Sequence, residues 1–241
     1  MLIASFPAGP WQTNCYVVAA VPGSECVIID PGMDAVDGVG ELIMEHRLKP
    51  VAVMLTHGHL DHMWSVTPLC RSSDSTCWVH PDDRVLLTDP LRAMGLETRL
   101  LLERLTGGSA VFSEPDEVRE LTDGADVAVA GLIFHALHAP GHTPGSTMFQ
   151  TPYQASAGTG ADIDADIDSV VFSGDVFFAG SIGRTDLPGG SLPDMLKSLR
   201  SKVLPLPDTV AVLPGHGPQT TIARERVGNP YLQNLAELSK E

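Results

Sequence analysis

Thr56-His57-Gly58-His59-Leu60-Asp61-His62 decides how this chain is read, because it sets four metal-capable side chains within six positions. Three imidazoles and a carboxylate are the ligand types that suit zinc and other borderline divalent metals. The preceding run, Val51-Ala52-Val53-Met54-Leu55, is short, apolar and partly β-branched, so it predicts a buried strand. The ligand candidates then lie just past a strand end, on a loop carried by a rigid sheet, where metal sites are commonly built. The spacing is not that of His-Glu-x-x-His, which uses a helix to bring two histidines to one face. A tight turn is expected to fan these side chains out. A lone histidine here would read as a surface residue; four ligand types behind an apolar strand read as a metal centre.

A zinc site takes at least three protein ligands, so distant residues are expected to complete it. The candidates follow later apolar runs: His142 in Ala139-Pro140-Gly141-His142-Thr143-Pro144-Gly145, Asp175 after Val170-Val171-Phe172-Ser173-Gly174, and His216 in Val212-Leu213-Pro214-Gly215-His216-Gly217-Pro218. Each is flanked by Gly or Pro, which permit sharp turns that aim a side chain.

In this order the segments Thr56–His62, Pro140–Ser146, Ser173–Asp175 and Pro214–Gly217 resemble those of the metallo-β-lactamase superfamily. Within it, Gly183-Arg184-Thr185-Asp186, the tail Gly217–Arg226 and Asn229-Pro230-Tyr231 are most similar to the glyoxalase II-like (hydroxyacylglutathione hydrolase-like) metallo-hydrolases. The resemblance runs from residue 1 to about residue 235. It implies a first metal on His57, His59 and His142, a second on Asp61, His62 and His216, and Asp175 bridging the two. Two divalent ions are thereby implied, zinc first, with iron or manganese also compatible with these ligand types. Such ions lie roughly 3.5–4 Å apart in two-metal sites, and coordination brings the pKa of bound water down to about 7. The resemblance further implies hydrolysis of a thioester, an S-(2-hydroxyacyl) conjugate of a small thiol, with Asp61 also accepting a hydrogen bond from the nucleophile. Arg184 stands where glyoxalase II enzymes carry a basic residue that touches the thiol carrier, so it is expected to bind substrate; pairing with Asp186 is the alternative reading. Asp186 and Pro218 replace tyrosines that contact glutathione in that family, and the C-terminal helical domain is largely absent. Glutathione as the carrier therefore does not follow.

Composition narrows the field further. The 241 residues suit one domain, residues 1–241, with a short helical tail from about residue 221. The chain carries 19 prolines and 23 glycines yet is 43% hydrophobic, which is loop-rich but not disordered. No apolar run of about 18 residues exists, so no membrane span is expected. The N-terminus does not read as a secretory signal, and Cys15, Cys26, Cys70 and Cys77 lack paired spacing. Reduced thiols in a cytoplasmic protein are expected, which also counts against an exported lactamase. A net charge of −15 with only 15 Lys and Arg offers no basic stripe for phosphates, so nucleic acid is excluded as a partner. The oligomeric state is open. The acidic stretch Asp162–Asp168 lacks the Gly and Glu of an EF-hand loop and reads as solvated.

Strands are predicted at Leu2–Phe6, Cys15–Ala20, Cys26–Asp30, Val51–Leu55, Cys77–His80, Val127–Val129, Leu132–Leu137, Ser146–Gln150, Val170–Phe172 and, last, Val210–Leu213. Helices are predicted from an Asp34 cap to Arg47, over Met63–Cys70, Leu91–Leu105, Leu192–Val203 and Tyr231–Leu238. An α/β (α+β) fold follows, an αββα sandwich of two facing sheets with helices outside. His135 and His138 are set apart from the ligands, His138 because Pro140 and Gly141 break any helix to His142. His46 and His80 read as structural, and Asp30 as an outer acceptor for a ligand imidazole.

Two other functions compete with the hydrolase. One is a mononuclear iron persulfide dioxygenase, disfavoured because His216 completes a second site. The other is a non-catalytic metal-stabilised binding protein, which would require a lost ligand.

Overall fold

The computed structural model describes residues 1–107, 110–154, 163 and 166–238. The chain opens with a meander, β1 (Leu2–Ala8), β2 (Thr13–Ala19) and β3 (Glu25–Ile29), then crosses through α1 (Ala35–His46) to β4 (Lys49–Met54). Short helices α2 (Leu60–Met63) and α3 (Val66–Ser73) lead to β5 (Thr76–Val79). Helices α4 (Pro81–Arg84) and α5 (Leu96–Thr106) precede β6 (Val118–Glu120). These strands form one sheet in sequence order, antiparallel from β1 to β3 and parallel from β3 to β6.

The second half supplies β7 (Asp126–Val129), β8 (Leu132–His138), β9 (Thr147–Pro152), β10 (Ser169–Gly174) and a small hairpin of β11 (Phe177–Phe178) and β12 (Ser181–Ile182). Helix α6 (Leu192–Ser198), β13 (Val210–Pro214), β14 (Thr220–Thr221), α7 (Ile222–Gly228) and α8 (Pro230–Leu238) follow. The second sheet runs β14-β13-β10-β9-β8-β7, with β10 and β13 parallel.

Successive strand residues point to opposite faces, and that alternation sorts the apolar residues into three layers. Val17, Ile28 and Val53 pack outward against Val39 of α1 and Val66 and Leu69 of α3. Their neighbours Val18, Ile29 and Met54 turn inward, to a layer shared with Phe134, Phe149 and Phe172 of the second sheet. On that sheet's far face, Val171 and Val212 meet Met195 of α6, Ile222 and Leu232. The result is the expected αββα sandwich. The three inter-sheet phenylalanines are essentially fully buried, which contributes roughly 1.5–3 kcal/mol each.

Several local expectations need correction. The turn over His57–His62 is helical in its second part: α2 begins at Leu60, so Asp61 and His62 project from a helix start. The helix expected over Met63–Cys70 is broken before Val66, because Ser65 is drawn aside to donate from its N–H to the Pro31 carbonyl and from its hydroxyl to the Gly32 carbonyl. The Leu91–Leu105 helix divides at Gly95 into a short turn, Pro90–Ala93, and α5. Asp34 precedes α1 in the left-handed region, φ 59°, and its side chain caps nothing. Val210–Leu213 is not the last strand, since β14 adds a two-residue edge. Of the acidic stretch, residues 162, 164 and 165 lie outside the described residues, as do 155–161 beside it. Among the described residues no helix is long and apolar enough to cross a membrane.

Candidate metal centre

The ends of four strands deliver the site. His57 and His59 follow β4 of the first sheet; His142, Asp175 and His216 follow β8, β10 and β13 of the second. Glycine permits the closest approaches. Gly174 sits at φ 48°, and a Cβ there would overlap the Thr56 hydroxyl. A Cβ at Gly215 would overlap Asp175 Oδ1 and stand 2.7 Å from His62 Cε1.

All seven predicted ligands meet at one point. His57, His59 and His142 form a corner of nearly perpendicular rings, with centroids 4.5–4.8 Å apart and planes at 81–90°. His59 Nδ1 and His142 Nε2 are 2.8 Å apart. His142 Nδ1 donates to the Arg184 carbonyl at 2.7 Å, which turns Nε2 inward to His59. His62 Nδ1 donates to Asp30 Oδ2 at 2.9 Å, so its Nε2 likewise turns inward. That atom lies 3.6 Å from Asp61 Oδ2 and 3.4 Å from Asp175 Oδ1. His216 Nε2 is 3.1 Å from Asp61 Oδ2. Asp175 stands between the two groups, its Oδ2 3.6 Å from both His142 Nε2 and His216 Nε2. Donor atoms of His57, His59 and His142, of His57, His62 and Asp175, and of Asp61, His62 and His216 lie within 4.8 Å of one another in each trio.

Fit to a cation shows in what the protein leaves unmade. His57 Nε2, His62 Nε2 and Asp175 Oδ1 are buried without a hydrogen-bond partner, a cost of about 1–3 kcal/mol for each group if nothing answers it. The charges divide unevenly. Burial, then repulsion from His62, holds His57 well below the usual imidazole range, and burial lowers His59 to about 3. For His62 burial opposes the charge, but Asp175, Asp61 and Asp30 outweigh it and raise its pKa well above the usual value. His216 is also raised, the Asp61 hydrogen bond and Asp175 overcoming burial. Burial works against ionising Asp61 and Asp175, yet the facing His62 keeps both carboxyls below the ordinary range.

Asp30 takes the outer role expected of it, accepting from the Thr56 N–H, the Thr56 hydroxyl and His62. Arg184 reaches the site through its carbonyl, while its guanidinium forms two bonds to Asp186, 2.7 and 2.8 Å, at the surface. His138 does not join the ligands. It stacks on His80, centroids 3.9 Å apart and planes at 9°, and bonds to the Pro144 carbonyl. Donor lone pairs lie in the ring planes, so parallel planes that far apart cannot converge on one ion at about 2 Å. His135 is tied to Asp126 at the surface.

A cavity of about 190 Å³ opens over the cluster. Its floor is His59, Asp61, His142, Asp175 and His216, and its walls are Trp11, Leu60, Ala93, Met94 and Leu187, with Arg184 at hand. Trp11, Ala93 and Met94 of the walls, and Thr13, which donates to Asp61 Oδ2 at 3.2 Å, are not legible in the sequence: they come from segments that carry no motif and reach the site only through tertiary folding.

Comparison with known proteins agrees with this fold. The family model described as the metallo-beta-lactamase superfamily matches residues 8–154 and 155–216. An uncharacterized protein of Mycobacterium tuberculosis is 44% identical over 98% of this chain and 100% of its own length. Hydroxyacylglutathione hydrolase GloC of Haemophilus influenzae is 32% identical, covering 97% of this chain and 99% of that protein. Among solved structures, BLEG-1 B3 metallo-beta-lactamase superposes with a TM-score of 0.77 at 37% identity, over 96% of this chain and 99% of that one. TTHA1623 in a di-iron-bound form does so with a TM-score of 0.71 at 33% identity, over 96% and 100%.

Proposed function

The chain belongs to the metallo-beta-lactamase superfamily, and from that premise we propose that residues 1–241 form a single-domain binuclear metal-dependent hydrolase of thioesters, acting on an S-(2-hydroxyacyl) conjugate of a small thiol. His57, His59 and His142 hold the first cation, and Asp61, His62 and His216 the second, with Asp175 shared. The observation that carries this reading is the set of buried, unpartnered donor atoms on His57, His62 and Asp175, turned toward one another in the middle of the cluster. Divalent cations bound there, zinc first among them, supply Lewis acidity and an activated water at neutral pH.

The chain's own residues do the rest. The Arg184 carbonyl and Asp30 hold the tautomers of His142 and His62. Asp61, kept ionised at the cavity floor, accepts the hydrogen bond that orients the nucleophile. Trp11, Met94 and Leu187 seat the acyl and thiol portions and exclude bulk water. Arg184 binds a substrate carboxylate by exchanging it for Asp186. Among the described residues, those lining the cavity include no Lys, Tyr or Cys to protonate a leaving group. A thiol of pKa about 8.5 departs as the anion without such help, unlike an amide nitrogen. The four cysteines are buried and free, which supports a reducing, cytoplasmic setting.

The 37% identity to BLEG-1 supports a second reading, hydrolysis of a β-lactam amide. Metal content measured beside a substrate panel tests both: close to two cations per chain and thioester turnover are expected. Turnover of a chromogenic cephalosporin alone would favour the lactam reading. A single iron with oxygen uptake would replace hydrolysis by persulfide oxidation. Full metal with no turnover would leave a binding protein.

A further inference from the structure

Beside the first triad lies a buried carboxylate that touches no ligand side chain. Asp83, in α4, is 1% exposed. Its Oδ2 accepts from the Gly58 N–H at 2.9 Å and from the Thr143 hydroxyl at 2.6 Å, and its Oδ1 accepts from the Gly145 N–H at 2.8 Å. Gly58 separates His57 from His59, and Thr143 follows His142. One side chain thus ties the segment after β4, in the first sheet, to the segment after β8, in the second. Both partner glycines are close-packed against it: a Cβ at Gly58 would stand 2.9 Å from the Asp83 carbonyl oxygen, and one at Gly145 would stand 2.6 Å from Asp83 Cγ.

We propose that Asp83 is the positioning residue of the first triad, setting the separation of His57 and His59 from His142 and hence the affinity of those three imidazoles for a cation. The inference rests on the reading that this triad holds a metal. Three donors converge on two oxygens, so the site requires a group that only accepts. An asparagine would turn its NH2 toward the Gly145 N–H, or toward Gly58 and Thr143, and lose at least one of the bonds. Asp30 braces the same histidine-rich segment from its other side, accepting directly from His62 of the second triad and from Thr56, whose hydroxyl stands 3.1 Å from His57 Nδ1. Of the two carboxylates, only Asp83 ties that segment to the one that carries His142.

Cobalt(II) titration separates the two. The His216→Ala protein retains the first triad and the His142→Ala protein the second. Adding Asp83→Asn to the first is expected to weaken cobalt binding roughly 10–100-fold, the usual effect of losing an outer-shell partner, and to alter the visible cobalt spectrum. Adding it to the second is expected to leave both unchanged within error. Thr143→Val, which deletes one of the three bonds, is expected to weaken the first triad, and Thr143→Ser to restore it; this pair decides the matter if Asp83→Asn does not fold. Equal losses at both triads, or no loss at the first, overturns the assignment of Asp83 while leaving the metal reading intact. Failure of the parent protein to bind cobalt at all sinks the metal reading, and this one with it.

Discussion

The two triads share a bridging carboxylate but are built differently. The first is all imidazole and almost sealed: His57, His59 and His142 are each at most 6% exposed, and their outer contacts are a hydroxyl and a backbone carbonyl. The second is mixed and open, with the Asp61 and His216 side chains 23% and 28% exposed at the cavity floor. Three carboxylates, Asp30, Asp61 and Asp175, surround His62. In the first, burial holds the His57 and His59 rings neutral, ready for a cation. In the second, carboxylates raise the pKa of His62 and His216, so protons compete with a cation for those rings.

Removing a ligand from the sealed triad breaks the comparison most severely. His142→Ala is expected to lose the first cation and to reduce turnover roughly a thousandfold or more, since metal assistance supplies several kcal/mol and each 1.36 kcal/mol is tenfold. Metal analysis checks it: undiminished content refutes the place given to His142. Asp61→Asn comes next. Turnover should fall about a hundredfold or more, in the range of a lost acid–base group, with the first triad still filled and the fold intact. Equal activity in variant and parent would remove Asp61 from the mechanism.

Protonation sharpens the contrast. Ligation requires deprotonated imidazoles. The pKa values of His62 and His216 are raised, so a cation in the second triad competes with protons for these rings, and its affinity falls as pH drops through those raised values. His57 is lowered and His59 sits at about 3, so neither adds to proton release near neutrality. In the metal-free protein the sign reverses for stability: the His62 contribution is full below the unfolded pKa of about 6.5 and is lost as pH rises through the folded one. Calorimetric metal titration of the single-triad variants, in buffers of different ionisation heat, reads the difference; equal proton release from both would contradict it.

How much of this contrast the letters carry depends on whether a residue's role is local. His57, His59, His142, Asp175 and His216 were legible because they follow apolar strand-like runs beside turn-forming Gly or Pro, Asp61 and His62 because they complete the same six-residue cluster, and the sandwich because two half-chains of strands and helices each place ligands at strand ends. Asp30 was legible as a strand-end carboxylate facing histidines. Asp83 was not: Asp82-Asp83 reads as a polar pair after β5, and nothing local says that Asp82 is exposed while Asp83 is buried. The edge strands β6 and β14 are three and two residues long, too short for an alternating pattern to register in the sequence.

The smallest expected effect lies where the open triad is anchored to the first sheet. Tyr16 donates to the Pro214 carbonyl at 2.7 Å, and Asn14 donates to the same carbonyl at 3.0 Å and to Gly217 at 2.9 Å. Together they hold the turn that carries His216, across the gap between sheets. Tyr16→Phe deletes one bond but leaves the carbonyl satisfied by Asn14, so it should cost only about 0.5–1.5 kcal/mol. Asn14→Ala removes two bonds at the more exposed end, and the double variant leaves the Pro214 carbonyl without either side-chain donor. A double-mutant cycle should therefore show coupling between the two residues. It should be seen in metal affinity at the second triad and not at the first, because only His216 rides on that turn. Additive losses, or losses shared by both triads, would mean that these two side chains do not act as a unit and that the backbone bond from the Asn14 N–H to the Gly215 carbonyl, 2.7 Å, holds the turn to β2.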